Sequence, residues 1–216
     1  MRHIIFDYDG TIHNTYGIYK PAFMKAYEWL VEQGKAPKRR FADHEISCWL
    51  GYNSKVMWDT FMPNLEQPYK DQASAMIGKT MVELVEAGKA VWYPGAEEVL
   101  KELKEAGYHL IFLSNCKEAY LAAHRECFQM DRFFEDFYCC ESYDFIPKTE
   151  ITKIIMKEHP ASYLAVGDRF SDLDAALDNA IPFIGCLYGF GSEEELKKAE
   201  YLAKDITELP SLVKLY

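Results

Sequence analysis

Four short apolar runs punctuate the chain: Ile4-Ile5-Phe6, Leu110-Ile111-Phe112-Leu113, Tyr163-Leu164-Ala165-Val166 and Ile181-Pro182-Phe183-Ile184. Each ends in polar or glycine residues. Runs of this length without polar alternation predict strands buried on both faces. A further strand is expected at Phe137-Tyr138-Cys139-Cys140, a short run to which cysteine adds little β-propensity. Between the runs the apolar spacing becomes helical. Ala96, Val99, Leu100 and Leu103 recur after the Pro94-Gly95 turn, and Ile151, Ile154 and Ile155 repeat the pattern after Lys148. Strand and helix in alternation predict a parallel sheet covered by helices.

The alternation breaks once. Residues 14–90 carry helical periodicity and no strand pattern. Tyr19, Phe23, Tyr27 and Leu30 form one apolar face before Gly34, and Ala75, Met76, Lys79, Val82, Glu83 and Glu86 mark a second long helix before Gly88. The expected architecture is therefore α/β: a Rossmann-like parallel-sheet core from residues 1–13 and 91–216, with a helical cap, 14–90, inserted after the first strand. Trp49, Tyr52, Trp58 and Phe61 are expected in the cap's own core. Lys38-Arg39-Arg40 reads as a solvated face, and Leu50-Gly51-Tyr52-Asn53-Ser54-Lys55 as a helix-to-helix turn and candidate specificity loop. Glu193-Glu194-Glu195 after Ser192 reads as the first turn of a helix, favoured by its dipole.

A chain of 216 residues that is 49% apolar can bury a sizeable core. Its net charge of −10 leaves no basic surface to neutralise nucleic-acid or lipid phosphates. The acidity is uneven: residues 14–90 hold ten Lys/Arg and nine Asp/Glu, the remainder fourteen and twenty-five. No apolar run is long enough to span a bilayer, and the N-terminus lacks a leader pattern, so a cytoplasmic protein with small soluble partners is expected. The six cysteines form no CxxC pair and are expected as reduced, mostly buried thiols rather than zinc ligands. Oligomeric state has no signature in the pattern.

Chemistry-bearing residues follow the strands. Asp7 and Asp9, in Asp7-Tyr8-Asp9-Gly10-Thr11, come directly after the first run, where a parallel strand's carboxyl end opens a crevice. Ser114-Asn115 follows the second and offers a hydroxyl and an amide to phosphate oxygens. Lys148 precedes a helix and is a point cation. Gly167-Asp168-Arg169-Phe170-Ser171-Asp172 presents two carboxylates from a loop and a helix start, suited to a hard divalent cation. Each alone has a plainer account: a solvated turn, a cap, a surface lysine, an acid at a helix dipole.

The ordered set, DxDGT, a serine after a strand, a lysine and GDxxxD, resembles the four motifs of the haloacid-dehalogenase superfamily. The resemblance covers the core to about Gly191 and is strongest toward the phosphoglycolate phosphatase and β-phosphoglucomutase group, whose members often carry a segment similar to Leu187-Tyr188-Gly189-Phe190-Gly191-Ser192. It implies a magnesium-dependent phosphatase acting on a small phosphorylated metabolite through an aspartyl-phosphate. Asp7 would be nucleophile and metal ligand. Asp9 would be acid, then base, with its carbonyl on the metal. Lys148 would stabilise charge, Asp168 would hold Mg2+, Asp172 would hold it directly or through a neighbour, and Gly10, Thr11, Ser114 and Asn115 would bind phosphate. One departure stands out: the family usually continues Leu-Val-Asp-Ser where this chain has Ile12-His13-Asn14-Thr15, so His13 is either a substrate contact or an inert hinge residue. A phosphosugar mutase uses the same motifs and stays open, as does a catalytically silent binding module. A dehalogenase or phosphonate hydrolase is disfavoured by the second acid, Asp9.

Overall fold

A computed structural model describes residues 2–216. The chain divides into two compact units, one of residues 1–14 and 92–216, the other of 15–91. The first unit is built on a six-stranded, wholly parallel sheet: β1 (Arg2–Phe6), β2 (His109–Ser114), β3 (Phe134–Cys139), β4 (Ser162–Gly167), β5 (Phe183–Cys186) and β6 (Tyr201–Ala203), in the order β3-β2-β1-β4-β5-β6. Helices α5 (Ala96–Glu105), α6 (Glu118–Cys127), α7 (Lys148–Glu158), α8 (Phe170–Asp178) and α9 (Leu209–Val213) complete it. The expected Rossmann-like α/β core is present.

β1 lies at the centre, paired with β2 and β4, which is why Ile4, Ile5 and Phe6 are all buried. The order reverses there, since the chain moves from β1 outward to β2 and β3, then crosses to β4. A ligand crevice belongs at such a switch point.

Two strand expectations shift and one strand is added. β3 starts at Phe134, earlier than its apolar run, because an edge strand can expose Glu135 and still pair with β2. β5 begins at Phe183 rather than Ile181, because Pro182 has no N–H for the ladder; its carbonyl still accepts from the Ala165 amide at 2.9 Å. β6 has three residues, of which Tyr201 is exposed and only Ala203 buried, too little apolar signal to read. Residues 193–198 form turns instead of the expected helix. Of the six free thiols, Cys139, Cys140 and Cys186 are buried, Cys116 is half-buried, and Cys48 and Cys127 are exposed, fewer buried than expected.

The second unit contains α1 (Tyr16–Glu32), α2 (Asp43–Ser47), α3 (Ser54–Phe61) and α4 (Gln67–Glu86), with no strand. α1 and α4 pack along one another. The expected turn at 50–53 joins α2 to α3, where the Asn53 carboxamide accepts from the Val56 amide at 2.9 Å and caps the helix. Trp58 is fully buried as expected, but Tyr52 is exposed on that turn. The core of this unit is aromatic. Phe23, fully buried, meets Phe41 edge-on at 5.4 Å and Phe61 at 5.6 Å, with Tyr27 against Phe41 at 4.7 Å.

No helix of the described residues is long and apolar enough to cross a membrane. Because Phe23 fills the centre of the ring cluster, Phe23→Ala is expected to destabilise the protein by about 3–5 kcal/mol, measured by urea unfolding. A loss below about 1 kcal/mol, the scale of an ordinary substitution, would show that the cluster collapses around the gap.

Candidate active site

The carboxyl ends of β1, β2 and β4 and the first turn of α7 carry the polar residues. Pairing of β1 with β4 runs one residue past Phe6, since the Asp7 amide donates to the Val166 carbonyl at 2.9 Å. Asp7 is thus anchored by the sheet while its buried carboxylate leaves the strand end. Oδ1 accepts from Lys148 Nζ at 2.5 Å and Oδ2 from the Thr11 hydroxyl at 3.1 Å. The chain then turns tightly: the Tyr8 carbonyl accepts from the amides of Thr11, Ile12 and His13 at 3.2, 2.9 and 3.0 Å.

Lys148 opens α7 after a turn in which two non-glycine residues, Asp144 and Phe145, have φ of 53° and 58°. Such conformations carry strain of order 1 kcal/mol each and persist where surrounding contacts hold them. Here the Phe145 amide donates to the Cys140 carbonyl at 2.8 Å. The buried ammonium lies between two carboxylates, reaching Asp172 Oδ1 at 2.6 Å as well as Asp7. Asp172 Oδ2 accepts from the Arg169 amide at 3.0 Å and caps α8, so both of its oxygens are engaged.

Asp168 is fully buried. Oδ2 accepts from the Phe190 amide at 2.6 Å; Oδ1 is buried and has no hydrogen-bond partner. The loop after β5 presses against this side chain and needs glycine to do so. A Cβ on Gly189 would lie 2.4 Å from Asp168 Cβ, and one on Gly191 1.9 Å from the Asp168 carbonyl oxygen. Gly10, at φ 92°, has the same constraint, since a Cβ there would stand 2.1 Å from Asp168 Oδ2. Tyr188 fastens the loop to the first motif through its hydroxyl, which donates to the Thr11 carbonyl at 2.9 Å.

Asp7, Gly10, Thr11, Lys148, Asp168 and Asp172 therefore come together. Ser114, Asn115 and Asp9 have contacts that run elsewhere. The Ser114 hydroxyl accepts from the Cys116 amide at 3.2 Å, and the Asn115 carboxamide oxygen accepts from the Cys140 thiol at 2.9 Å. Asp9 turns to Tyr120 and His13.

The electrostatics of the cluster are unbalanced. Lys148 lies between Asp7 and Asp172, while the third buried carboxylate, Asp168, has the Arg169 charge as its cationic neighbour. Burial pushes the Asp168 carboxyl up, and the charges of Asp7 and Asp172 push it further. Burial and Asp172 likewise raise Asp7, against the pull of Lys148. Burial disfavours the Lys148 ammonium, but Asp172 and Asp7 outweigh that and lift it above the ordinary lysine value. The lysine is held charged, and negative charge remains. Asp7, Asp168 and Asp172 can each bring one oxygen within 4.8 Å of the others. An all-oxygen donor set, surplus negative charge and an unsatisfied buried oxygen fit a hard divalent cation.

The sequence pattern of the haloacid dehalogenase-like hydrolases matches residues 4–186. The chain belongs to that family. Among its relatives, a phosphoglycolate phosphatase of Psychrobacter arcticus is 23% identical over 217 residues, covering 90% of this chain and 87% of that protein. A Haemophilus somnus protein described as a predicted phosphoglycolate phosphatase superposes with a TM-score of 0.80 at 20% identity, over 98% of this chain and 97% of its own. CbbY of Rhodobacter sphaeroides, solved as a variant with xylulose-(1,5)bisphosphate, gives 0.77 at 19% identity, over 96% and 95%. At such identities the structural likenesses show the fold.

Two features of this hydrolase are not legible as site residues in the sequence. Glu195 accepts from Arg169 Nε at 2.9 Å and from the Phe170 amide at 2.7 Å, clasping the loop that carries Asp168. Tyr120 and His124 on α6, with Trp92, line the Asp9 side of the first motif; their i, i+4 spacing after the second motif is the one available signal.

A cation at these carboxylates stabilises the folded state by mass action, about 2.7 kcal/mol at a hundredfold excess over Kd, or roughly 5–10 °C for a chain of this size. For Asp168 the raised carboxyl means that, without metal, the folded state holds a proton the unfolded chain releases. That stability is present at acidic pH and lost as pH rises through the folded value. Metal-free Asp168→Asn should therefore melt above the parent at pH 8 and lose most of the parent's response to MgCl2 in thermal scans. Equal responses would remove Asp168 from the cation's ligands.

Proposed function

We propose that this hydrolase is a magnesium-dependent phosphatase that transfers the phosphoryl group of a small phosphorylated metabolite to Asp7 and then hydrolyses the aspartyl-phosphate. The observation that carries the reading is the Asp7 carboxylate, anchored through its backbone at the end of the central strand and bounded by Lys148, Thr11 and Asp168. A carboxylate attacks a phosphate dianion poorly because both are negative. Lys148 offsets part of that repulsion and orients Asp7 through its hydrogen bond. Mg2+ held by Asp7 and Asp168, with Asp172 supporting Lys148 and α8, would supply the remaining positive charge on the phosphoryl oxygens.

Phosphoryl binding is assigned to Ser114, Asn115, Gly10 and Thr11; Ser114 and Asn115 would turn from Cys116 and Cys140 to do so, and Gly10, whose amide is held by the His13 carbonyl, would contribute close backbone approach. Asp9 protonates the leaving oxygen and then activates water for the second step, a two-way role that suits a partly exposed carboxylate beside the nucleophile. The names of the relatives support a phosphoglycolate- or sugar-phosphate-like substrate. A hexose phosphate incubation separates a mutase, which returns isomerised sugar without free phosphate.

Hydrolysis of p-nitrophenyl phosphate should require Mg2+. Asp7→Asn should lower turnover roughly 10,000-fold or more, the scale of removing a covalent nucleophile, with the circular dichroism spectrum unchanged. Multiple turnover at a tenth of the parent rate would exclude Asp7 as nucleophile. Asp9→Asn should cost an alkyl phosphate roughly 100-fold or more in the phosphorylation step, and p-nitrophenyl phosphate much less, because nitrophenolate leaves without a proton. Equal losses in single-turnover runs would assign Asp9 to loop structure instead.

A further inference from the structure

The first motif departs from its family at His13, and the structure shows what the imidazole meets. His13 is fully buried, and its Nδ1 lies 3.1 Å from Asp9 Oδ1 and 3.2 Å from the Tyr120 hydroxyl. That hydroxyl is itself 2.7 Å from the same Asp9 oxygen. Three polar atoms from three residues form a closed triangle. A deprotonated carboxylate only accepts, so Tyr120 spends its proton on Asp9 and presents a lone pair to His13. Nδ1 then faces two acceptors and is the nitrogen that carries hydrogen.

A second layer holds the triangle. Tyr8 stacks on the His13 ring, with centroids 5.4 Å apart and planes 18° apart, and the Tyr8 hydroxyl is fixed between the Trp92 indole N–H at 2.9 Å and His124 Nδ1 at 2.7 Å. His124 stands against both rings, its centroid 4.5 Å from that of His13 and 4.2 Å from that of Tyr120. Burial and the neighbouring His13 push His124 down to about 3, so this wall is uncharged at neutral pH. The main chain closes the frame: the Gly10 amide donates to the His13 carbonyl at 2.9 Å, and His13 bridges to Trp92.

We infer that Tyr120 and His13 are positioning residues for the reaction proposed above, gripping the Asp9 carboxylate by Oδ1 so that its plane is set before substrate arrives. An aspartate at a loop otherwise rotates about χ2, and each unproductive orientation lowers the fraction of encounters in which the proton is in line with the leaving oxygen. Two donors on one oxygen remove that freedom in advance. An apolar residue at position 13, as in the family's usual Leu-Val-Asp-Ser, could not do this. The inference rests on the acid–base role of Asp9.

The test combines kinetics with a readout that needs no substrate. In single-turnover runs, Tyr120→Phe and His13→Val should each slow phosphorylation by an alkyl phosphate at least tenfold and by p-nitrophenyl phosphate less than threefold, and leave the Mg2+ requirement near the parent's. His13→Asn keeps a donor where Nδ1 stands and should recover most of the alkyl activity. Independently, 15N spectra of histidine-labelled protein should show His13 protonated at Nδ1 in the parent and altered in Tyr120→Phe. A His13 protonated only at Nε2, or equal losses on both substrates, would overturn the clamp even if the enzyme is a phosphatase. No Mg2+-dependent release from either substrate by the parent would instead remove the phosphatase reading, and the nitrogen spectra alone would then decide whether the grip exists.

Discussion

The site depends on three buried carboxylates within reach of one another, Asp7, Asp168 and Asp172, of which Lys148 bonds the first and the last. Like charges a few ångströms apart repel by about 4 kcal/mol even at an effective dielectric near 20, and burial adds desolvation to that repulsion. One lysine cannot balance three acids. The arrangement is consequently unstable on its own, and the surrounding structure is organised to hold it: the sheet fixes Asp7, a helix start fixes Asp172, and a strained turn delivers Lys148.

Asp168 is held from outside as well as inside. Gly189 and Gly191 let the loop after β5 lie directly on it, the Phe190 amide donates to one oxygen, and Glu195 grips the neighbouring backbone and Arg169. These contacts leave Oδ1 without a donor. A buried oxygen kept unsatisfied while its twin is hydrogen-bonded is a costly feature, which a bound cation would turn into a ligand. A cation bound there would also supply the local attraction that an anion needs at a protein of net charge −10.

The two acids of the first motif have been given different surroundings two residues apart. Asp7 faces inward to the lysine and the other carboxylates. Asp9, 21% exposed at its side chain, faces a wall of aromatic and imidazole rings, and takes its hydrogen bonds from Tyr120 and His13. Such divergence is what allows neighbouring carboxylates to take separate chemical roles. Helix α6 supplies the wall, so an element that looks like simple packing against the sheet also shapes the site.

The sheet was legible because its strands are buried on both faces, and a double-sided environment imposes continuous apolar runs on the sequence itself. The helical character of the segment between β1 and α5 was legible from the 3.6-residue spacing of apolar positions in its two long helices, α1 and α4. Asp7, Asp168 and Asp172 follow strand ends and Lys148 opens α7, local positions that could be marked in the sequence, and the fold brings the four together. The sheet edges were less legible: β3 was expected, but its start at Phe134 was missed because it tolerates Glu135, and β6 buries one residue of three. Glu195, Tyr120 and His124 escaped because nothing near them in sequence marks their partners, which lie 26, 111 and 116 residues away. His13 shows the division within one residue. That it was unusual could be read from its neighbours, but whether it met substrate, solvent or Asp9 was decided only when the fold brought α6 beside the first motif, because a hydrogen bond depends on distance in space and leaves no periodicity along the chain.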